Sequence, residues 1–306
     1  MASNQVFKIR QRLIRRTILL LPMAGLIGAA IFLRGAISPR TIDFWLFLGG
    51  YLASVAGIQV GYHRLFAHRT FHAHPIVRGV LVILGSMAGH GPIFGWVAVH
   101  RKHHEHADRV GDPHSPHIGE TGLQKVCRGL WHAQVGWLWN TDLEMPDYRK
   151  VVDLIMDPVV FRLGRVNAYY ISLASGVLAP ALIGGVYSYS WQGAVQGFLW
   201  GGMLRIMFSL QVACAINSVS HSFGDQPFRT EDESRDNLWL ALLSLGGWQN
   251  THHAFPCSYS NQWQWWRLDP AAWAIRSLAA IGLASDLRYP NMTDITAKRH
   301  PEHTPL

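Results

Sequence analysis

The chain has 306 residues, 27 Lys and Arg against 19 Asp and Glu, a formal net charge of +8, 15% charged and 49% hydrophobic residues. A soluble domain usually carries about a quarter charged residues, and a disordered chain combines high charge with low hydrophobicity. The composition argues against the first class and rules out the second. A mean hydropathy of +0.09 is too low for a chain buried wholly in lipid, whereas a few membrane helices with a large polar portion fit both values. Cys127, Cys214 and Cys257 are widely spaced and odd in number, which argues against a disulfide framework. Thirteen Trp suit a membrane interface, and 17 His make their placement worth following.

In chain order, the first apolar stretch is 17–33, preceded by Lys8, Arg10, Arg12, Arg15 and Arg16. A signal peptide starts in a similar way. Here Arg34 follows at once, a second run begins at Ile42, and no clear small-residue cleavage site intervenes, so a retained helix is expected. The second run, 42–60, follows a short turn containing Ser38 and Pro39. The stretch Ile76–Val99 is apolar, contains Gly85, Gly89, Gly91 and Pro92, and has polar His clusters on both sides. It is read as an interfacial or partly buried helix. The runs 168–187 and 194–216 approach the ~20 residues that a span needs. Arg205, inside the last run, is expected to snorkel or to pair at a vestibule, because a bilayer centre tolerates a charge poorly. The fold class expected is all-α integral membrane: one domain over 1–306, with four transmembrane helices (17–33, 42–60, 168–187 and 194–216) in two hairpins. The basic N-terminus sets that end in the cytoplasm. With an even number of spans the C-terminus is cytoplasmic too, 61–167 and 217–290 form a cytosolic helical cap, and 291–306 are a flexible tail.

The histidines fall into ordered clusters near the ends of apolar segments: His63-Arg-Leu-Phe-Ala-His68, His100-Arg-Lys-His103-His104-Glu-His106, Asn217-Ser-Val-Ser-His221 and Gln249-Asn-Thr-His252-His253. On a helix His100, His103 and His104 lie within an arc of about 100° and can converge on one point. His63 and His68 lie about 140° apart on an ideal α-helix, so they converge only if the helix bends or ends. Asn217 and His221 share a face, while His252 and His253 diverge and could reach two neighbouring ions. Imidazole suits Fe, Zn, Cu and Ni, and eight His exceed what one ion can use. Isolated His72, His74, His90 and His132, and His114 and His117 in the loop 111–119, read as structural; His106 reads as a surface or supporting residue, and His300 and His303 belong to the tail. No conspicuous carboxylate cluster stands beside the His, and Glu231-Asp232-Glu233 reads as a solvated loop.

At these residues the chain resembles the integral-membrane fatty acyl desaturases, particularly the stearoyl-CoA desaturase-like branch, from about residue 40 to 290. The resemblance rests on the order HRLFAH, HRKHH, NSVSHSFG and NTHHAFP. It implies a centre of two Fe ions (Fe2+/Fe3+), which is itself the catalytic group, with O2 as cosubstrate. It implies metal ligands at His63, His68, His100, His103, His104, His221, His252 and His253, and a metal contact through water at Asn217. Gln249 stands where the family has a further histidine, and is read as a weak or water-mediated ligand or as a partner that orients one. The basic pair that acyl-CoA members carry after a segment like His132-Ala-Gln-Val-Gly-Trp137 is missing from Leu138–Asp142. The expected reaction is therefore O2-dependent insertion of a double bond into an acyl chain carried as a thioester on CoA or acyl carrier protein. The alternative is a related di-iron fatty acyl hydroxylase or acetylenase. Electrons would come from a separate donor, such as a ferredoxin or a cytochrome b5-type protein with its reductase, because no flavin, haem or iron–sulfur motif is visible. Membrane lipid is an expected partner and nucleic acid is not. A metal transporter is disfavoured, since transporters place polar ligands near the midplane of the bilayer and these lie beyond helix ends.

Overall fold

The computed structural model describes residues 2–34, 38–117, 122–139 and 147–300. Helix α1 covers Ala2–Phe32, and its apolar part is Arg16–Phe32. Helix α2, Thr41–Ala67, starts at a residue pair in which Asp43 accepts throughout: the Arg40 backbone donates to it at 3.0 Å, and the Arg40 guanidinium donates to both carboxylate oxygens at 2.7 Å. Arg40 also donates to Ser188 Oγ and to the Gly193 carbonyl. The start of α2 is thereby tied to the turn at 188–193, at the end of the molecule away from the histidines.

Helix α3, Pro75–Met87, crosses α2 where glycines face each other. A Cβ on Gly57 would stand 2.3 Å from the Gly85 nitrogen, and one on Gly85 would stand 2.3 Å from the Tyr62 ring. The single helix expected over 76–99 is corrected: Gly89 and Gly91 have φ of +79° and +105°. Left-handed backbone ends α3 at little cost only where there is no Cβ, and Pro92 then precedes a separate helix α4, Ile93–His106. Helix α5 covers Leu123–Trp131 and continues through a wider turn to Trp139. Short helical turns fill 148–163.

Helices α6, Val166–Ser188, and α7, Trp191–Ser218, complete the apolar bundle. Among the described residues, α2, α6 and α7 are long and apolar enough to cross a membrane, with 27, 23 and 28 residues. The predicted runs 42–60, 168–187 and 194–216 lie inside them. The first predicted span, 17–33, corresponds to the shorter apolar part of α1. Arg205 neither snorkels nor pairs with a carboxylate among the described residues. It is 1% exposed and donates to Gly201 O, Ser54 Oγ, Met87 O and Gly176 O at 2.6–3.0 Å. One guanidinium so ties α2, α3, α6 and α7 through polar groups that would otherwise lack partners.

The cap packs on the ends of α2 and α4 around Phe66, Phe71, Val97, Val151 and Ile275. It contains helices α8 (Leu238–Leu243), α9 (Gln249–Ala254) and α10 (Pro270–Ala280). Strand β1, His72–Ala73, pairs antiparallel with β2, Ala284–Ser285. Buried Asp236 receives the Thr251 backbone N–H at 3.0 Å and the Thr251 hydroxyl at 2.7 Å, with Arg267 on its other side, which fixes the orientation of α9. The expected flexible tail is docked as far as His300. Helix α11, Met292–Lys298, buries Ile295 against Phe228 and Ala254, Lys298 donates to the Ala254 carbonyl at 2.6 Å, and His300 N donates to Pro227 O at 2.9 Å. Residues 301–306, with His303, lie outside the described residues.

Candidate metal centre

Four chain segments deliver the imidazoles, and each solves a local geometric problem. Gly57–Ala67 of α2 is π-helical, and the His68 N–H reaches the His63 carbonyl at 3.0 Å. That i→i+5 bond stacks residue 68 over residue 63, which an α-helix would not do. In α4 the three histidines do not converge on one point: His100 and His104, one turn apart, face one way, and His103 faces another. The successive residues His252 and His253 of α9 diverge in the same manner.

Among the described residues the nitrogens form a group of five, His63, His68, His100, His104 and His252, and a group of three, His103, His221 and His253, with the ligand atoms of each within 4.8 Å of one another. In the first group the Nε2 atoms of His68 and His100 are 2.8 Å apart, and His252 Nε2 is 3.0 Å from those of both His63 and His104. Either group could hold a metal ion.

Carboxylates, which the sequence did not reveal as a cluster, stand behind the second group. His221 Nδ1 lies 2.7 Å from Asp108, His103 Nδ1 2.9 Å from Asp112, and His253 Nδ1 2.8 Å from Asp232. Asp232 is thus corrected from a solvated loop residue to a histidine partner. Its neighbour Glu231 does stay at the surface, with Arg109. Each carboxylate can only accept, so each imidazole donates from Nδ1 and its Nε2 lone pair turns inward. Gln249 Nε2 lies 3.0 Å from His253 Nε2 and 3.3 Å from His221 Nε2, while His103 Nε2 is buried without a hydrogen-bond partner. The two N–H groups of the Gln249 amide can serve the His253 and His221 lone pairs, and the His103 lone pair is left without a donor. A cation that prefers nitrogen fits this three-imidazole donor set.

Burial, with neighbouring charge, holds His68, His100, His104, His252 and His253 below the ordinary histidine range. Burial, then the nearby imidazoles and Arg101, pushes His68 down to about 3. Burial lowers His253 to about 4, against the opposing pull of Asp232. For Asp108 burial acts upwards, but hydrogen bonds from His221, Ser115 and the Glu233 backbone outweigh it and leave the carboxyl at about 2.

The other histidines take different places. His114 is buried with its ring 4.4 Å from that of His103, and forms a third cluster with His103 and Asp112. His117 Nε2 donates to the His221 carbonyl at 2.5 Å. These two support the centre, which their Gly/Pro-rich loop did not advertise. His106 is partly exposed, its Nδ1 3.2 Å from Lys102 O. His74 caps α3. Two largely apolar cavities meet beside the centre and share His90, Trp96, His100, Ala213 and Asn217 in their walls; Gln249 lines one of them. The Trp96 ring stacks on that of His100 at 5.0 Å. Trp131 is 69% exposed and lines neither cavity. The region 140–142, where the missing basic pair was sought, lies outside the described residues.

The family model for fatty acid desaturases matches residues 43–286. The chain is 41% identical to a hex-5-enoyl-(acyl-carrier protein) acetylenase of Moorena producens (strain JHB), over 85% of this chain and 81% of that protein. It is 31% identical to an sn-1 stearoyl-lipid 9-desaturase of Synechocystis sp. (strain ATCC 27184 / PCC 6803 / Kazusa), over 79% and 70%. It is also 31% identical to acyl-CoA desaturase 1 of Saccharomyces cerevisiae (strain ATCC 204508 / S288c), over 86% of this chain and 49% of that protein.

Proposed function

The chain belongs to the fatty acid desaturase family, and we propose that it is a membrane oxidoreductase that removes two hydrogens from adjacent carbons of a fatty acyl thioester. The observation that carries this reading is the pair of histidine groups, the larger of which reaches the wall of an apolar cavity through His63 and His100. His63, His68, His100, His104 and His252 are proposed to hold one iron ion, and His103, His221 and His253 a second. Bound there, two irons would supply the O2-dependent oxidation of an unactivated carbon chain, chemistry beyond the reach of side chains. Asp108, Asp112 and Asp232 hold three imidazoles in the tautomer that binds metal. Trp96, flat on His100, and the cavity walls fix the acyl chain and keep water away. Asn217 and Gln249 stand at the same wall, where a side-chain amide can contact an ion directly or through water.

A second reading, an acetylenase, is supported by the higher identity to the Moorena producens protein than to the desaturases compared. The carrier is acyl carrier protein or CoA, and the electrons come from a separate donor. In the membrane, α1 is proposed as a fourth crossing beside α2, α6 and α7, with both termini and the histidine cap in the cytoplasm.

The test is expression in a host of defined lipid composition, with mass spectrometry of the acyl chains. Products lighter by two hydrogens, absent from cells carrying His103→Ala, are expected. An alkyne formed from a supplied alkenoyl chain selects the acetylenase. Unchanged lipids and thioesters on both carriers, with iron and a donor system present, would defeat both readings.

A further inference from the structure

A third groove joins the cavity that is walled by Ile14, Ile18 and Trp137. The two share Ile14, Pro92 and Gly95, and the far wall of the groove holds Tyr148, Arg165 and Asn167. The lining turns from apolar to polar along this path. Arg165 and Asn167 are exposed, and the Arg165 guanidinium has no carboxylate partner among the described residues. Close packing sets the far wall in place: a Cβ on Gly164 would stand 2.6 Å from Ile93 and 3.0 Å from Phe94, at the start of α4. Gly95, in the first turn of α4, has no such reason to be glycine. Its φ is not positive, and an added Cβ would meet nothing within 4 Å beyond its own helix and chain neighbours. A glycine inside a helix costs stability relative to alanine. Its bare face opens on the cavity and on the groove alike, and a glycine at such a place lets a ligand approach the backbone closely.

An acyl thioester has an apolar tail, then the thioester, then a polar arm. On coenzyme A and on acyl carrier protein that arm is phosphopantetheine, a run of amides and a hydroxyl that ends in a phosphate. Resting on the thioester reading above, we propose that the groove holds the phosphopantetheine arm, that the arm passes over Gly95 to the acyl chain in the apolar cavity, and that Arg165 meets the phosphate. The change from tail to arm follows the change in the walls. A guanidinium suits a phosphate because it donates parallel hydrogen bonds to it. The Asn167 amide both donates and accepts, as the amides of the arm require. The cation absent from Leu138–Asp142 thus stands on another element, at the start of α6.

Unreactive S-octyl thioethers are the probes, and their binding to the full-length protein in detergent is measured by calorimetry. They are S-octyl phosphopantetheine, S-octyl pantetheine without the phosphate, S-octyl coenzyme A, and acyl carrier protein bearing the S-octyl arm. S-octyl phosphopantetheine is expected to bind. Arg165→Gln should weaken it roughly tenfold, the share of one charge-assisted contact, and leave S-octyl pantetheine unchanged. Gly95→Leu should weaken every probe by roughly tenfold or more, since its side chain fills the passage, without lowering the melting temperature. The two larger probes separate the sources: the tighter binder names the carrier, and its affinity too should fall in Arg165→Gln. Equal effects of Arg165→Gln with and without the phosphate, a tighter carrier probe indifferent to Arg165→Gln, or unchanged binding by Gly95→Leu would overturn the proposal. If Gly95→Leu does not fold, the paired phosphopantetheine and pantetheine measurements decide alone. Failure of every probe to bind the unaltered chain would remove the thioester reading itself, so the two failures are separable.

Discussion

Three aspartates decide which nitrogen each of three histidines offers, and burial lowers the proton affinity of His68 and His253. The pH consequence follows from the direction of the shifts. His68 and His253 are held at about 3 and about 4 when folded, below the ordinary ~6.5 of an unfolded histidine. Between these values the unfolded chain binds more protons than the folded one, so stability rises with pH there. It is fully present above about pH 6.5 and is lost as the pH falls toward 4. Melting of metal-free protein in detergent, followed by circular dichroism, should show a midpoint that is level near neutrality and falls between pH 6.5 and 4. A level midpoint down to pH 4 would contradict the lowered values of His68 and His253. The low value at Asp108 acts separately and lower, costing stability as the pH falls from about 4 to 2. The eight histidines were legible as candidates from their spacing alone. Asp108, Asp112 and Asp232 were not, because a carboxylate in a polar loop looks the same in sequence whether it meets water or an imidazole.

Two helices carry the geometry of the centre, and both depart from a plain α-helix. The π-helical end of α2 aligns His68 with His63, and the same segment lies against α3 through Gly57 and Gly85. Gly85→Val should be strongly felt, since even its Cβ would enter the Tyr62 ring, and overpacking of this kind costs about 1–3 kcal/mol. Tyr62 and His63 are adjacent, so displacement of α2 moves a proposed ligand as well. The expected result is a lower melting temperature together with reduced iron retention. Gly28→Ala in α1 is the control, because nothing lies within 4 Å of the added carbon. Equal melting of the two variants would show that the crossing tolerates separation. Apolar run length located α2, α6 and α7 well. It missed the break between α3 and α4, although Gly89 and Gly91 were visible, because a glycine shows its left-handed conformation only once the chain is folded.

At the scale of the molecule, the apolar bundle is joined by Arg205 within and by Arg40 at one end, and the histidine cap sits at the other. The proposed topology puts exposed Cys127 and Cys257 on one side of the membrane and leaves Cys214 buried. In sealed vesicles of known orientation, a membrane-impermeant maleimide should label Cys127 and Cys257 only where the cytoplasmic face is accessible. Cys214 should react only after denaturation. Labelling of Cys127 and Cys257 from opposite faces would break the arrangement.

Apolar runs and the order of the histidine boxes are properties of the chain alone, and they sufficed for the helical class, for the three helices long and apolar enough to cross a membrane and for the family resemblance. The tertiary structure decided how the histidines divide into five and three, which carboxylate stands behind which ring, that Arg205 binds backbone carbonyls rather than reaching water, and that the C-terminal segment docks. Helical periodicity relates residues a turn apart, and so it placed His100, His103 and His104 on one arc, while only the packed structure set His103 apart from the other two. His63 meets His252 across 189 residues, and His221 meets Asp108 across 113. Such partners are chosen by how whole helices pack and by the need of buried polar groups for hydrogen bonds, and neither is written in local spacing.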